Sequence, residues 1–166
     1  MTYGQTVGLT HDPAMVGNWA ALRWGLLGLS IKGGLWIGFS GLFFGAGLGG
    51  IRYRGKEVIG LMTGLLVMYA LGVWLLNRPF DPANKVLPRV YFSASWHWLP
   101  EAKLKPRPEC WGGFLFALIA GVFYIGRIRR DRLAVRMALW GVLGGTMGFP
   151  LGQCIQAFHA WNPQLF

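Results

Sequence analysis

Acidic side chains are scarce in this sequence: Asp and Glu together number six in 166 residues, against sixteen Lys and Arg, for a formal net charge of +10. Charge of either sign is thin, at 13% of residues, while 54% are hydrophobic and the mean hydropathy is +0.41. That balance excludes an ordinary soluble domain. Cysteine is nearly absent, with two residues, which excludes a disulfide-dense scaffold. The chain also lacks GxSxG, a Walker loop, GxGxxG and paired carboxylates, and it has no HxxxH, HExxH, CxxC or CxxCH. Enzymes, metal sites and haem sites marked by those patterns receive no support, so no catalytic residue, metal or cofactor is expected. The opening MTYGQTVGLTHDP has no basic n-region, apolar run or small-residue cleavage site, so the first span is expected to direct insertion itself. The abrupt ending NPQLF suits the amino-terminal part of a longer protein.

What is present is a series of long apolar runs. The stretch GGLWIGFSGLFFGAGLGGIRYR, Gly33 to Arg54, is uncharged until it meets a basic turn, the pattern of a helix that crosses a bilayer and stops at its surface. Spans are predicted over about 33–51, 58–76, 111–126 and 137–158, and none of these contains Asp, Glu, Lys, Arg or His. At ~1.5 Å per residue such lengths match a ~30 Å hydrocarbon core, the third being the shortest. The fold class read from this is an all-α integral membrane protein, one polytopic domain of four transmembrane helices arranged as two antiparallel hairpins. In front of them, Met15, Trp19, Leu22, Leu26 and Leu29 step by three or four through residues 14–31, with Arg23 off the stripe. This predicts an interfacial amphipathic helix, with Lys32 snorkelling, in preference to one long helix from about Trp19.

Glycine supplies the packing device. Gly34, Gly38, Gly41, Gly45 and Gly49 ridge the first span; Gly60 and Gly64, with Gly72, give the second a partial ridge to set against it; Gly141, Gly145, Gly148 and Gly152 ridge the fourth. Small residues at such steps let helix backbones approach closely, within one chain or between chains. Pro150, inside the fourth span, is expected to kink it. A faint repeat sets Gly33-Gly34 before Ile51-Arg52 and Gly112-Gly113 before Ile128-Arg129.

Eight of the sixteen basic residues sit in two short turns, 52–57 and 127–136. By the positive-inside rule these turns are cytoplasmic, which places both termini and the loop 77–110 outside, together with eight of the nine Trp residues. The predicted setting is a bacterial cytoplasmic membrane with a periplasmic outer side. Arg52, Arg54, Lys56, Arg127, Arg129, Arg130 and Arg132 are read as meeting anionic lipid head groups rather than nucleic acid.

The loop 77–110 holds six of the nine prolines and no glycine, so an ordered, Pro- and Trp-rich cap is expected. Within it, residues 89–98 alternate apolar and polar, and Tyr91, Ser95 and His97 form a candidate ledge for an outer ligand, weighed against a Trp face simply lying on the bilayer. Cys110 and Cys154 fall at similar depth and form a candidate disulfide. Gln153, Gln156, Thr146 and His159 form a candidate polar site, with interhelical hydrogen bonding the plainer reading for the two glutamines.

These features give more means of association than of chemistry. The expected function is a structural or accessory membrane protein that packs through glycine-ridged helices into a homo- or hetero-oligomeric assembly, its partners being lipids, itself or other membrane subunits. One alternative is a small channel or transporter half with a polar path near Gln153 and Gln156. The other is an interfacial enzyme acting on a lipid-linked substrate at the outer face, with His97 and a carboxylate as acid and base.

Overall fold

Where no water is available to the backbone, a segment has to satisfy its own N–H and C=O groups, and the apolar runs of this chain accordingly form helices. The computed structural model describes residues 19–84, 86–92, 108–162 and 164. Four helices account for most of them: α1 (Trp19–Leu48), α2 (Gly55–Leu76), α3 (Trp111–Phe123) and α4 (Arg132–Trp161). A π-helical turn, Tyr124–Ile128, ends α3, with the Arg129 N–H donating to Tyr124 O at 3.0 Å. Among the described residues no strand forms, and Asp81 and Val86 make an isolated antiparallel bridge in the loop.

Three segments, Arg23–Leu48, Gly55–Leu76 and Trp111–Ile128, are long and apolar enough to cross a membrane. The chain is therefore a helical membrane protein. The 14–31 stretch does not form a separate interfacial helix where it is described: from Trp19 it is the first part of the 30-residue α1, which runs straight on into the predicted span. Two features remove the expected break. Lys32 does not have to reach a lipid surface, because its Nζ lies 3.1 Å from Glu109 Oε1. The Gly33-Gly34 pair lies inside the helix and packs closely on α4, since a Cβ on Gly34 would meet the Thr146 hydroxyl and the Val142 carbonyl. Residues 14–18 lie outside the described residues.

The helices do not pair as sequence hairpins. α1 packs along α4, α2 along α3, and α1 along α3, giving the order α2–α3–α1–α4. Contact registers give the directions. Gly33 faces Gly145 while Gly45 faces Ala134, so α1 and α4 are antiparallel. Gly72 faces Gly112 while Leu65 approaches Gly121, so α2 and α3 are also antiparallel. Gly38 meets Leu118 and Leu42 meets Gly121, so α1 and α3 run parallel. The core between them holds Leu35, Leu42, Leu118, Ile125, Ala134 and Ala138, with Leu29, Phe92 and Trp111 at the end nearer the loop.

Close approach explains the α1–α4 pair. A Cβ on Gly41 would collide with the Met137 carbonyl, one on Gly45 would sit 2.5 Å from Ala134 Cα, and one on Gly141 would collide with the Ile37 carbonyl. Gly60 and Gly64 are a correction: they do not set α2 against α1, and a side chain on either would meet open space. The contact face of α2 is instead the one bearing Leu65, Tyr69 and Gly72, because α3 offers Gly112, Gly113 and Gly121 to it. Gly148 and Gly152, expected in the α4 ridge, likewise face open space, as does Gly144. α4 remains helical through Pro150.

Candidate functional site

At the end where the two short turns lie, five polar side chains form a cluster that joins them. Tyr53 Oη donates to Asp131 Oδ2 at 2.9 Å, and Asp131 Oδ1 accepts the Ala134 N–H at 3.0 Å, capping α4. Asp131 is fully buried and fits there because Gly49, at the end of α1, has no side chain: a Cβ would stand 2.9 Å from either carboxylate oxygen. Glu57, in the first turn of α2, accepts from Tyr124 Oη at 2.9 Å and pairs with Arg129 Nε at 2.8 Å. Arg129 also donates to the Arg52 carbonyl at 2.7 Å and lies 5.1 Å from the centroid of the Tyr53 ring. Partial burial, and then the bond to Asp131, push the Tyr53 phenol up to about 12. The turns themselves are tight, with Gly50 and Arg130 at positive φ (71° and 55°).

A second polar cluster lies at the opposite end. Glu109, buried just before α3, bonds Lys32 of α1 and accepts the Phe92 N–H at 2.9 Å. Trp24 Nε1 donates to the Tyr91 carbonyl at 2.7 Å, and the Phe92 ring lies between Trp24 and Trp111, with centroids 5.5 and 5.6 Å away. Asn77 ends α2 with its backbone N–H donating to Val73 O, and its Oδ1 accepts the Gly112 N–H at 2.9 Å, so one residue closes one helix and caps the next. Asp81 accepts from the backbone N–H and side chain of Asn84, which hold it below the ordinary carboxylate range.

Several predicted sites change in this light. Tyr91 does not present a polar edge to an outer ligand: it is 1% exposed, and its ring packs against Phe80 at 6.2 Å. The alternation that placed it on a polar face gave way to burial of both Tyr91 and Phe92 under α1. Ser95 and His97 lie outside the described residues. Cys110 and Cys154 are free thiols, the first half-buried and the second exposed. Of the Gln153, Gln156, Thr146 and His159 group, Gln153 is buried with its Nε2 unpartnered, Thr146 rests against Gly34, and Gln156 and His159 are exposed. Arg129 is withdrawn from the lipid-facing set by Glu57, Tyr53 and Arg52, whereas Arg52, Arg54, Lys56, Arg127, Arg130 and Arg132 stay exposed.

The sequence reading missed Tyr53, Glu57, Asp131 and Glu109 as structural partners. Their signal was rarity. Four of the six acidic residues of the chain are described as Glu57, Asp81, Glu109 and Asp131, and each is engaged by named partners rather than left to water.

Between α3 and α4 runs an apolar groove of about 690 Å³, lined by Leu118, Ile119, Val122 and Phe123 on one side and Val135, Leu139 and Val142 on the other. Its floor at the turn end carries Arg127, Arg132 and Arg136, and it adjoins a polar hollow of about 480 Å³ formed by Gly126, Arg127, Arg130 and Arg132. Among the described residues no group of three or more His, Cys, Asp or Glu side chains could hold a metal ion. Compared with family models, curated proteins and solved structures, the chain shows no match. The class defined by the fold is thus a helical membrane protein in which three of the four described acids, Glu57, Glu109 and Asp131, join separate segments of the chain.

Proposed function

We propose that this protein is a structural or accessory subunit that packs through exposed glycine-bearing helix faces into a larger membrane assembly. The observation behind this reading is the division of the glycines into two sets. Gly34, Gly38, Gly41, Gly45, Gly141 and Gly145 are consumed in the α1–α4 contact, while Gly60 and Gly64 on α2 and Gly144, Gly148 and Gly152 on α4 have nothing within 4 Å. A glycine facing lipid gains little, whereas at a helix–helix contact it permits close packing. α2 also offers a large free surface, with only 11% of its apolar window buried. In this reading α4 is the fourth span, because it lies antiparallel to α1 from Gly145 opposite Gly33 to Ala134 opposite Gly45. The arginine-rich turns face the cytoplasm and the 77–110 loop the outer side of a bacterial cytoplasmic membrane.

The test is the mass of the particle in mild detergent or nanodiscs, with all copurifying chains identified, for the wild type and for Gly64→Leu and Gly148→Leu. A closed oligomer or a stoichiometric partner is expected, lost or weakened in at least one variant while helicity is kept. A wild-type monomer with no stoichiometric partner overturns the proposal.

A further inference from the structure

The groove between α3 and α4 joins two chemistries that meet in one class of molecule. Its walls are aliphatic and aromatic, with Ile119, Phe123 and Leu139 each more than half exposed along it. Its back is closed by α1, where Gly38 lies against both Leu118 and Val142: a Cβ there would stand 2.9 and 2.7 Å from their methyl groups. Its foot is closed where Gly126 meets Val135, a Cβ on Gly126 falling 2.9 Å from Val135 Cγ2. The π-helical turn brings Arg127 to this foot from α3, and Arg132 and Arg136, one helical turn apart, reach it from α4. Arg130, in the adjoining hollow, extends the same positive surface.

None of these four guanidinium groups is ion-paired with a described residue. The two acids of the turns are occupied, Asp131 by Tyr53 and the Ala134 N–H, Glu57 by Arg129 and Tyr124. Positive charge at the edge of a low-dielectric region draws an anion, and arginine matches phosphate oxygens in paired hydrogen bonds. We propose that the groove seats one anionic glycerophospholipid, its acyl chain along Ile119, Phe123 and Leu139 and its phosphate held by Arg127, Arg132 and Arg136. The arginines of the other turn differ in kind. Arg52 and Arg54 border a hollow that already contains Glu57 and Arg129 and is lined by no apolar residue. The inference rests on α4 lying in the membrane and not on the oligomeric reading.

The experiment is native mass spectrometry of the full chain in nanodiscs of phosphatidylcholine with a rising share of phosphatidylglycerol, counting lipids retained after release. Wild type is expected to keep one phosphatidylglycerol in preference to phosphatidylcholine. Arg132→Gln with Arg136→Gln should weaken retention by about fivefold for each arginine removed. Arg52→Gln with Arg54→Gln, which removes the same charge elsewhere, should leave it unchanged, and Leu139→Trp should lower it by filling the groove. Equal loss in the two double variants means general surface attraction and overturns the proposal, as does full retention in Leu139→Trp. A photo-crosslinker placed at Ile119 that captures a protein chain in place of lipid also overturns it.

Discussion

At the scale of single residues, three of the described acids, Glu57, Glu109 and Asp131, act as fasteners. Asp131 takes the place a helix amino terminus gives to an acceptor, and it also holds Tyr53 of the opposite turn, so one carboxylate joins the end of α1 to the start of α4. Asp131→Ala is expected to cost about 1–2 kcal/mol, mostly the lost cap, read as a lower unfolding midpoint in detergent. The same contact has a titratable side. Tyr53 is neutral at ordinary pH and its folded pKa is raised, so its contribution is complete below pH 10 and is lost as pH climbs through about 12. In a phenolate absorbance titration, the late-ionising tyrosine fraction of the wild type should therefore shrink by one tyrosine in Asp131→Ala, with burial keeping part of the Tyr53 shift.

At the scale of helices, position on the wheel separates glycines that look alike in a line of text. Gly41 and Gly148 both belong to four-residue steps, yet a Cβ on the first enters the Met137 carbonyl and on the second enters open space. Gly41→Leu is expected to force α1 from α4 at a cost of roughly 1–3 kcal/mol or to prevent folding, whereas Gly148→Leu leaves the monomer's unfolding midpoint within about 0.5 kcal/mol. Unfolding in graded denaturing detergent distinguishes the two. The double glycines of the faint repeat behave alike in one respect: Gly33-Gly34 receives α4, and Gly112-Gly113 receives α2, each pair being one of the close-approach points of its helix.

At the scale of the whole molecule, the halves of the chain interlock. In the order α2–α3–α1–α4 the outer pairs are each made of one helix from before the loop and one from after it. Two independent hairpins would survive separation; interleaved ones would not. A chain split within the 77–110 loop should thus give halves that copurify when made together and that are degraded or aggregate when made singly. Both polar clusters support this, since Tyr53–Asp131 and Arg129–Glu57 bridge the turns and Lys32–Glu109 and Asn77–Gly112 bridge the opposite ends.

The sequence by itself determined the helical class, two of the membrane-spanning segments to within a few residues and the carboxyl-terminal end of a third, the two basic turns and the glycine spacing along α1. It did so because hydrocarbon length and glycine spacing are local properties, written in consecutive residues. Tertiary structure alone decided that α1 runs unbroken from Trp19 to Leu48, that Tyr91 turns inward, that Gly60 and Gly64 stay outside, and that Arg129 serves the fold while Arg127, Arg132 and Arg136 line a groove. Each of these depends on a partner 60 or more residues away or on which face of a helix meets another. Glu109 neutralises Lys32 from 77 positions along the chain, and a helix pattern read in one dimension carries no record of which neighbour will fill it.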